Sequence, residues 1–587
     1  MTVPAVGALT ALAALLCLTA ALGACGRRAA CTASDLLVAS RGVTPWWNAS
    51  AISGEYISAA SFLGTAGLVL AYGADMLWLP IAAAAGHVLL LAFVTAPLRR
   101  SGAYTVSDFA EWRLGSRAVR RIVTACVCFI GWFYLLPQFE GAGVTLRVLT
   151  GAPVWAGWAV VVAVTPALVL SGGMRSITMV QAVQFWVKLA AVAVPAAALL
   201  GLWHMSGGPG PLGDGVPRFD RTTRVHMRTD AAVTVPADVT VTARGRVDGA
   251  RRDGGPLALA AGRHTIGRGT DVVFPAGAAV PHAERLPAQD AGTWAMPFAR
   301  GEEHGLYRTY SAMLGVMLGT MGLPHILMRF YTSASGSAAR RTAALVPVLL
   351  ALFYVFPALY GTLGRLYAPE LLMTGDTDAI VLLLPGRMLP GAPGSLLTGL
   401  VTAGAFAAFI STSCGLAVAV GGTLAQCARR TDPAAFRAGV AVALAAPLAL
   451  LPGTGAHGAA GLVTVALGVS ACSLCPLLVL GIWWRGLTPA GAAAGLLAGG
   501  GLAVAAGAAR LCRAAPAGWP AALLAEPALL IAPGAFAAMV AVSLLTRRRV
   551  PRHTDRALRR LHCPPDPGTG RRAGPRPLVP PDRPFIA

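Results

Sequence analysis

Lysine is all but missing. Of the 47 basic side chains in this 587-residue sequence, Lys188 is the one that is not arginine. Alanine and glycine abound too, so the bias reads as GC-rich coding and not as mechanism. Charge of either sign is also scarce: 12% of residues are Asp, Glu, Lys or Arg, against about 25% in an ordinary soluble domain. That excludes the string of soluble domains that length alone would suggest. No cysteine lies between Cys128 and Cys414, so the polar stretch in that gap has no disulfide staple. Cys472 and Cys475 form a CxxC, but they sit in an apolar run beside Pro476 with no second ligand pair nearby. They read as packing thiols and not as a redox or metal site. The soluble segments hold no nucleophile–base pair and no metal-ligand cluster, which argues against an enzyme.

What the chain does have is hydrophobicity: 56% apolar residues and a mean hydropathy of +0.64. Apolar windows fall near 6–25, 48–73, 76–96, 119–138, 153–171, 178–203, 306–330, 342–366, 395–424, 434–452, 459–482, 488–510 and 523–546. These thirteen runs each approach the roughly 20 residues that cross a bilayer. In the first, Leu22-Gly23-Ala24-Cys25 resembles a lipoprotein cleavage site. No basic residue precedes it, however, and Arg27 and Arg28 follow it, the reverse of signal-peptide polarity. A retained helix is expected. The net charge of +22 comes largely from arginines that flank the spans, which argues against a nucleic-acid partner.

With the N-terminus outside, the short cytoplasmic loops carry Arg27, Arg28, Arg41, Arg99, Arg100, Arg113, Arg117, Arg120, Arg121, Arg175, Arg329, Arg340, Arg341, Arg429, Arg430 and Arg485. The opposite short loops offer Arg147, Arg365, Arg387, Arg510 and Arg513. Sixteen against five is a positive-inside bias that puts the C-terminus in the cytoplasm. The expected organisation is a first transmembrane helix in 1–30, a five-span unit in 45–203 and an external insertion in 204–305. A second five-span unit in 306–482, two peripheral spans in 488–546 and a basic, proline-rich tail in 547–587 follow. Within the insertion, residues 231–244 alternate apolar and polar like a β-hairpin edge; a small β-rich cap and a partly disordered segment both fit. The tail reads as disordered and lipid-hugging.

Five spans per unit is an odd number, so the second unit is inverted relative to the first. In that layout, ions and substrate bind near the midplane, where helices break open. Residues 52–64 (ISGEYISAASFLG) and 406–426 (FAAFISTSCGLAVAVGGTLAQ) are apolar but rich in small and hydroxyl residues. Such a helix, opened, would offer its carbonyls and hydroxyls to a cation. Gly54 ends a small-residue stretch. Glu55, Tyr56 and Ser58 follow it, and Glu55 either serves function or snorkels to the interface. Ala408, Ser411 and Thr412 share one helix face. The two hydroxyls either ligate a hard cation or bond back to their own helix. In GTMGLPHILMRFYT (319–332), Pro324 frees the Thr320 carbonyl, and Gly319 and Gly322 weaken the same turn. His325 beside the break either meets a carboxylate or simply packs. Either Tyr134 and Gln138, one turn apart, line the pathway together, or Gln138 simply marks its aqueous end.

At this point the sequence resembles the sodium:solute symporter family, and within it the acetate/monocarboxylate permease branch. The resemblance rests on PWWNASAISGEYISAASFLG (45–64), GGMRSITMVQAVQFWVKL (172–189), GLPHILMRFYT (322–332) and AAFISTSCGLAVAVGG (407–422). It implies an all-α polytopic fold with a five-plus-five inverted-repeat, LeuT-like core and broken helices. It also implies a sodium site made by the carbonyls of Gly54, Ile57 and Ala408 and the hydroxyls of Ser411 and Thr412. Relatives in this branch usually place Asp-Tyr after the glycine; here Glu55-Tyr56 keeps the acid one methylene longer. The implied activity is symport of a small monocarboxylate with Na⁺ or H⁺ by a monomeric, multi-pass protein of a bacterial plasma membrane. Expected substrate-pathway residues are Glu55, Tyr56, Ser58, Tyr134, Gln138, Gly322 and His325, and no cofactor is expected. Symport of proline, another amino acid or pantothenate is the nearest alternative. A transporter-like solute sensor is a further one.

Overall fold

A computed structural model describes residues 3–26, 38–208, 210, 215–227, 229–284, 286–287, 290–298, 303–428, 433–451, 458–512 and 518–563. Arg27, Arg28, Arg429, Arg430 and Arg513, which enter the charge count above, lie outside them, as does the tail beyond residue 563.

Among the described residues, eleven helical stretches are long and apolar enough to cross a membrane. The helices that matter below are α1 (Val3–Gly26), α2 (Pro45–Tyr56), α3 (Thr65–Tyr72), α4 (Arg117–Thr150) and α5 (Val154–Met205). After the insertion come α6 (Gly305–Gly322), α7 (Pro324–Tyr331), α8 (Gly336–Tyr367), α9 (Ala392–Cys427), α10 (Gly458–Cys472) and α11 (Leu474–Trp483). At 1.5 Å per residue, α5 would run about 78 Å, far beyond the roughly 30 Å hydrocarbon core. It is in fact two helices joined at Gly173, whose φ of 58° and ψ of −157° suit glycine. That turn falls between the predicted spans 153–171 and 178–203.

Two predicted spans open in mid-course. Pro45 starts α2 at a position where a missing N–H costs nothing. The helix ends at Ile57, whose ψ of 91° is extended, and a wide turn, Ala60–Gly64, leads into α3. Pro324 starts α7 in the same way, after the extended Leu323 separates it from α6. In contrast, the segment 406–426 does not open: α9 is one continuous 36-residue helix. It holds no proline after Pro393, so its hydrogen-bond ladder has no forced gap. Its glycines, alanines, serines and threonines instead let neighbouring backbones come close. α9 is wholly buried along its most apolar stretch, with α1, α4, α5 and the helix Pro433–Leu450 packed around it.

The insertion is a β domain. Its strands are β1 (Thr223–His226), β2 (Ala231–Val235), β3 (Val239–Val247), β4 (Ala250–Leu259), β5 (Gly262–Ile266), β6 (Asp271–Phe274) and β7 (His282–Ala283), paired antiparallel. The alternation over 231–244 does mark two strands, yet they are not a hairpin with each other. β2 pairs with β5 and β7, whereas β3 pairs with β4 and β6. Between them Asp238 accepts a hydrogen bond from the Ala261 amide at 2.7 Å, which fixes the crossing. A small core of its own includes Phe219, Val233, Val241, Val272 and Phe274. The domain docks through Trp294, whose indole donates to the carbonyls of Val69 and Leu70 at 2.9 and 3.1 Å. The start of the tail is ordered as well. Helix Thr554–His562 buries Leu561, and Arg100 donates to the carbonyls of Leu561 and His562.

Candidate cation and substrate site

Opening α2 leaves backbone groups that the bilayer interior would not satisfy, and four of them find partners from other helices. The Ala59 amide donates to Gln138 Oε1 of α4 at 3.0 Å, and Gln138 Nε2 donates to the Tyr134 carbonyl at 3.0 Å. Gln138 is thus committed to capping the break and does not mark an aqueous end. The Glu55 carbonyl takes the Thr412 hydroxyl at 2.7 Å. The Gly54 carbonyl takes the Ser411 hydroxyl at 2.9 Å, which also lies 3.2 Å from the Ala408 carbonyl. Ser411 and Thr412 are fully buried and reach across to α2. Gly54 also lets α5 come close, since a Cβ there would stand 2.5 Å from the Gln181 carbonyl of that helix.

Within this knot lies the lysine. Lys188 Nζ, on α5, donates to the carbonyls of Gly54 and Ile57 (3.0 Å for Ile57) and to Ser411 Oγ. Three of the five positions that the resemblance assigns to sodium therefore converge on one ammonium.

Glu55 neither snorkels nor faces lipid. Its carboxylate pairs with Arg329 of α7, Nε to Oε2 at 2.6 Å, with both side chains inaccessible to solvent. Arg329 also donates to Thr178 Oγ1 at 2.7 Å and to Gln181 Oε1, and Gln181 Nε2 donates to the Ser411 carbonyl at 2.6 Å. Gly415 leaves room for the acid, since a Cβ there would meet Glu55 Oε1 at 1.6 Å. Arg329 is thus no loop charge and drops out of the sidedness count. The break at Leu323 turns the chain so that α7 lies inside the bundle, and nothing local in the sequence reports that depth.

The second break adjoins the first. Tyr56 OH and Thr320 Oγ1 are 2.9 Å apart, the Tyr56 ring meets His87 edge-on at 4.7 Å, and Ser470 donates to the Gly319 carbonyl at 2.8 Å. Gly322 lies against Ser470, where a Cβ would be 2.6 Å from its hydroxyl. His325 is buried with no hydrogen-bond partner on either ring nitrogen among the described residues, its ring 5.2 Å from that of Tyr134. Ser58 lies beside the Tyr134 phenol. Of the expected residues, Tyr56, Ser58, Tyr134, Gly322 and His325 gather at the two breaks. Lys188, Arg329, Gln181 and Thr178 complete the centre and were not singled out from sequence. A usable signal was there for one of them, in Lys188 as a solitary ammonium within an apolar run.

A buried charge cluster where helices open inside a multi-pass bundle defines a membrane transporter and not an enzyme. Comparison with known proteins gives the family. The model of the sodium:solute symporter family matches residues 36–202 and 304–499, more than half of the chain, and the chain belongs to that family. It is similar to an uncharacterized symporter of Bacillus subtilis, 25% identical over 480 residues that take in 80% of this chain and 79% of that one. It is also similar to a monocarboxylic acid transporter of Corynebacterium glutamicum, 27% identical over 476 residues, 77% and 74% of the two chains. Among solved structures, a Na⁺-coupled sialic acid symporter shares the fold at a TM-score of 0.59 and 12% identity, covering 93% of this chain and 98% of that one. A nucleobase-cation symporter matches at 0.50 and 12% identity over 89% and 98%.

Proposed function

We propose that this protein is a secondary active symporter that imports a small monocarboxylate of the acetate, propionate or pyruvate type, coupled to Na⁺ or H⁺ by alternating access. The observation that carries this reading is the knot where α2 opens: the carbonyls of Gly54 and Ile57 and the hydroxyl of Ser411 meet a cationic centre, while Ala408 accepts from Ser411 and Thr412 donates to the Glu55 carbonyl. A cation there ties α2 to α9, and it can bias the outward-open state only through a difference in affinity between states. The likeness to a monocarboxylic acid transporter supports the substrate class. So does the site's chemistry. Arg329 is spent on Glu55, whereas His325, beside Tyr134 and without a hydrogen-bond partner among the described residues, is free to donate to a carboxylate. The protein works as a monomer in a bacterial plasma membrane with its C-terminus inside, and the insertion caps the outer face.

Reconstitution in liposomes tests this. Labelled acetate, propionate and pyruvate uptake should rise under an imposed inward Na⁺ or pH gradient. Uptake indifferent to every imposed gradient would reject coupling. Competition by unlabelled proline or pantothenate stronger than by acetate would move the assignment to another substrate of the family.

A further inference from the structure

We infer that the cation held between α2 and α9 in this protein is its own Lys188 ammonium, so the cage does not take a free sodium ion. The inference deepens the symporter reading above and rests on it for its functional meaning.

The geometry is that of an ammonium and not of an incidental contact. A lysine ammonium has three N–H groups and no acceptor. Lys188 Nζ has three acceptors, the carbonyls of Gly54 and Ile57 and the hydroxyl oxygen of Ser411. The Ser411 proton is directed elsewhere, to the carbonyl of Gly54 or Ala408, which leaves its lone pairs to the lysine. The side chain is wholly buried. A buried charge needs such company, and carbonyl and hydroxyl oxygens are also what a hard cation seeks. One centre cannot hold both cations.

Composition adds an independent argument. Coding bias accounts for arginine at every other basic position, yet lysine stands at 188. A guanidinium could not replace it: its five donors lie in a planar fork suited to carboxylates, whereas an ammonium is a compact point charge. Lysine is thus kept at the one place where a near-spherical cation on a tether is required. The charged and titratable groups that face this region are Glu55 of α2, with Tyr134 of α4, Cys414 of α9 and Arg329 of α7 around it. Of these, Glu55 and Arg329 already pair with each other.

The test reads sodium binding without any substrate, so its outcome is separate from whether monocarboxylates are carried. Purified wild-type protein should show no ²²Na⁺ binding that depends on Ser411, and Ser411→Ala should leave any Na⁺-dependent rise in its unfolding temperature unchanged. Lys188→Ala should gain Na⁺ binding and a rise in unfolding temperature with Na⁺, and Ser411→Ala in that background should remove the gain. Lys188→Arg should restore neither the wild-type unfolding temperature nor uptake. Saturable ²²Na⁺ binding by the wild type that Ser411→Ala abolishes overturns the proposal, and that measurement needs no Lys188 variant to fold. A monodisperse Lys188→Ala protein that binds no Na⁺ overturns it equally. Should uptake of acetate, propionate and pyruvate fail instead, the substrate reading falls and the sodium measurement stands.

Discussion

Glu55 and Arg329 form an ion pair sealed from water. Bringing two charges out of solvent costs several kcal/mol each, which mutual attraction offsets only while both remain. Removing one leaves the other stranded. Glu55→Gln and Arg329→Met should therefore each lower stability by about 3–5 kcal/mol, whereas the double variant should lose much less than the sum. Denaturant unfolding in detergent would measure this, and additive losses would dismiss the pair as an energetic unit. Gly415→Ala probes the same place from the other side. Its Cβ would occupy the position of Glu55 Oε1, so it should abolish uptake as the acid is displaced. Glu55 was legible in sequence because an acid inside an apolar run demands explanation. Its partner was not. Arg329 sits at the end of a predicted span, where arginines ordinarily mark loops, and only the break at Leu323 carries it inward.

At the level of helices, proline and glycine announced the opening before Pro324, and small hydroxyl residues announced the one after Tyr56. The continuity of α9 was hidden, because a run such as STSCGLAVAVGG suits close packing as well as unwinding. Gln138 illustrates the same limit: its spacing from Tyr134 was visible, but its service to the Ala59 amide depends on how α4 crosses α2. Removing that cap should matter. Gln138→Leu leaves a buried amide without an acceptor, at a cost of about 1–3 kcal/mol, and should lower the unfolding temperature while also slowing uptake. An unchanged unfolding temperature would mean that the break needs no cap.

The insertion carries a prediction of its own. His264 Nδ1 donates to Asp248 Oδ2 at 2.7 Å, which raises its pKa above the usual imidazole value. Partial burial pushes Asp248 upward, but hydrogen bonds from His264 and the Thr265 amide outweigh it and hold the carboxyl below its ordinary range. The pair's contribution is then lost as pH rises through the elevated histidine value and also as it falls through the depressed aspartate value. Hydrogen-exchange protection of the 248 and 265 amides, corrected for intrinsic rates, should decline as pH rises above the ordinary imidazole value of about 6.5. His264→Ala should flatten that decline. The effect belongs to a pair at the domain surface and amounts to less than about 1 kcal/mol.

For the whole molecule the question is what drives accumulation. A transmembrane potential contributes about 2.3 kcal/mol per elementary charge per 100 mV, but only for net charge moved. A monocarboxylate carried with a single monovalent cation moves none. A lysine ammonium that stays in the protein is not transported charge, though it can still neutralise the anion while the site is occluded. The proposed cycle therefore predicts that a potassium diffusion potential, inside negative and set with valinomycin, leaves acetate accumulation unchanged when no chemical ion gradient is imposed. If the potential alone drives accumulation, more than one cation accompanies each anion. At least two coupling sites would then exist apart from the cage at Gly54, Ile57 and Ser411. Repeating the measurement in Lys188→Ala locates the effect. A response that appears only in the variant, and only with Na⁺ present, would mean that a mobile ion had taken over from the tethered one.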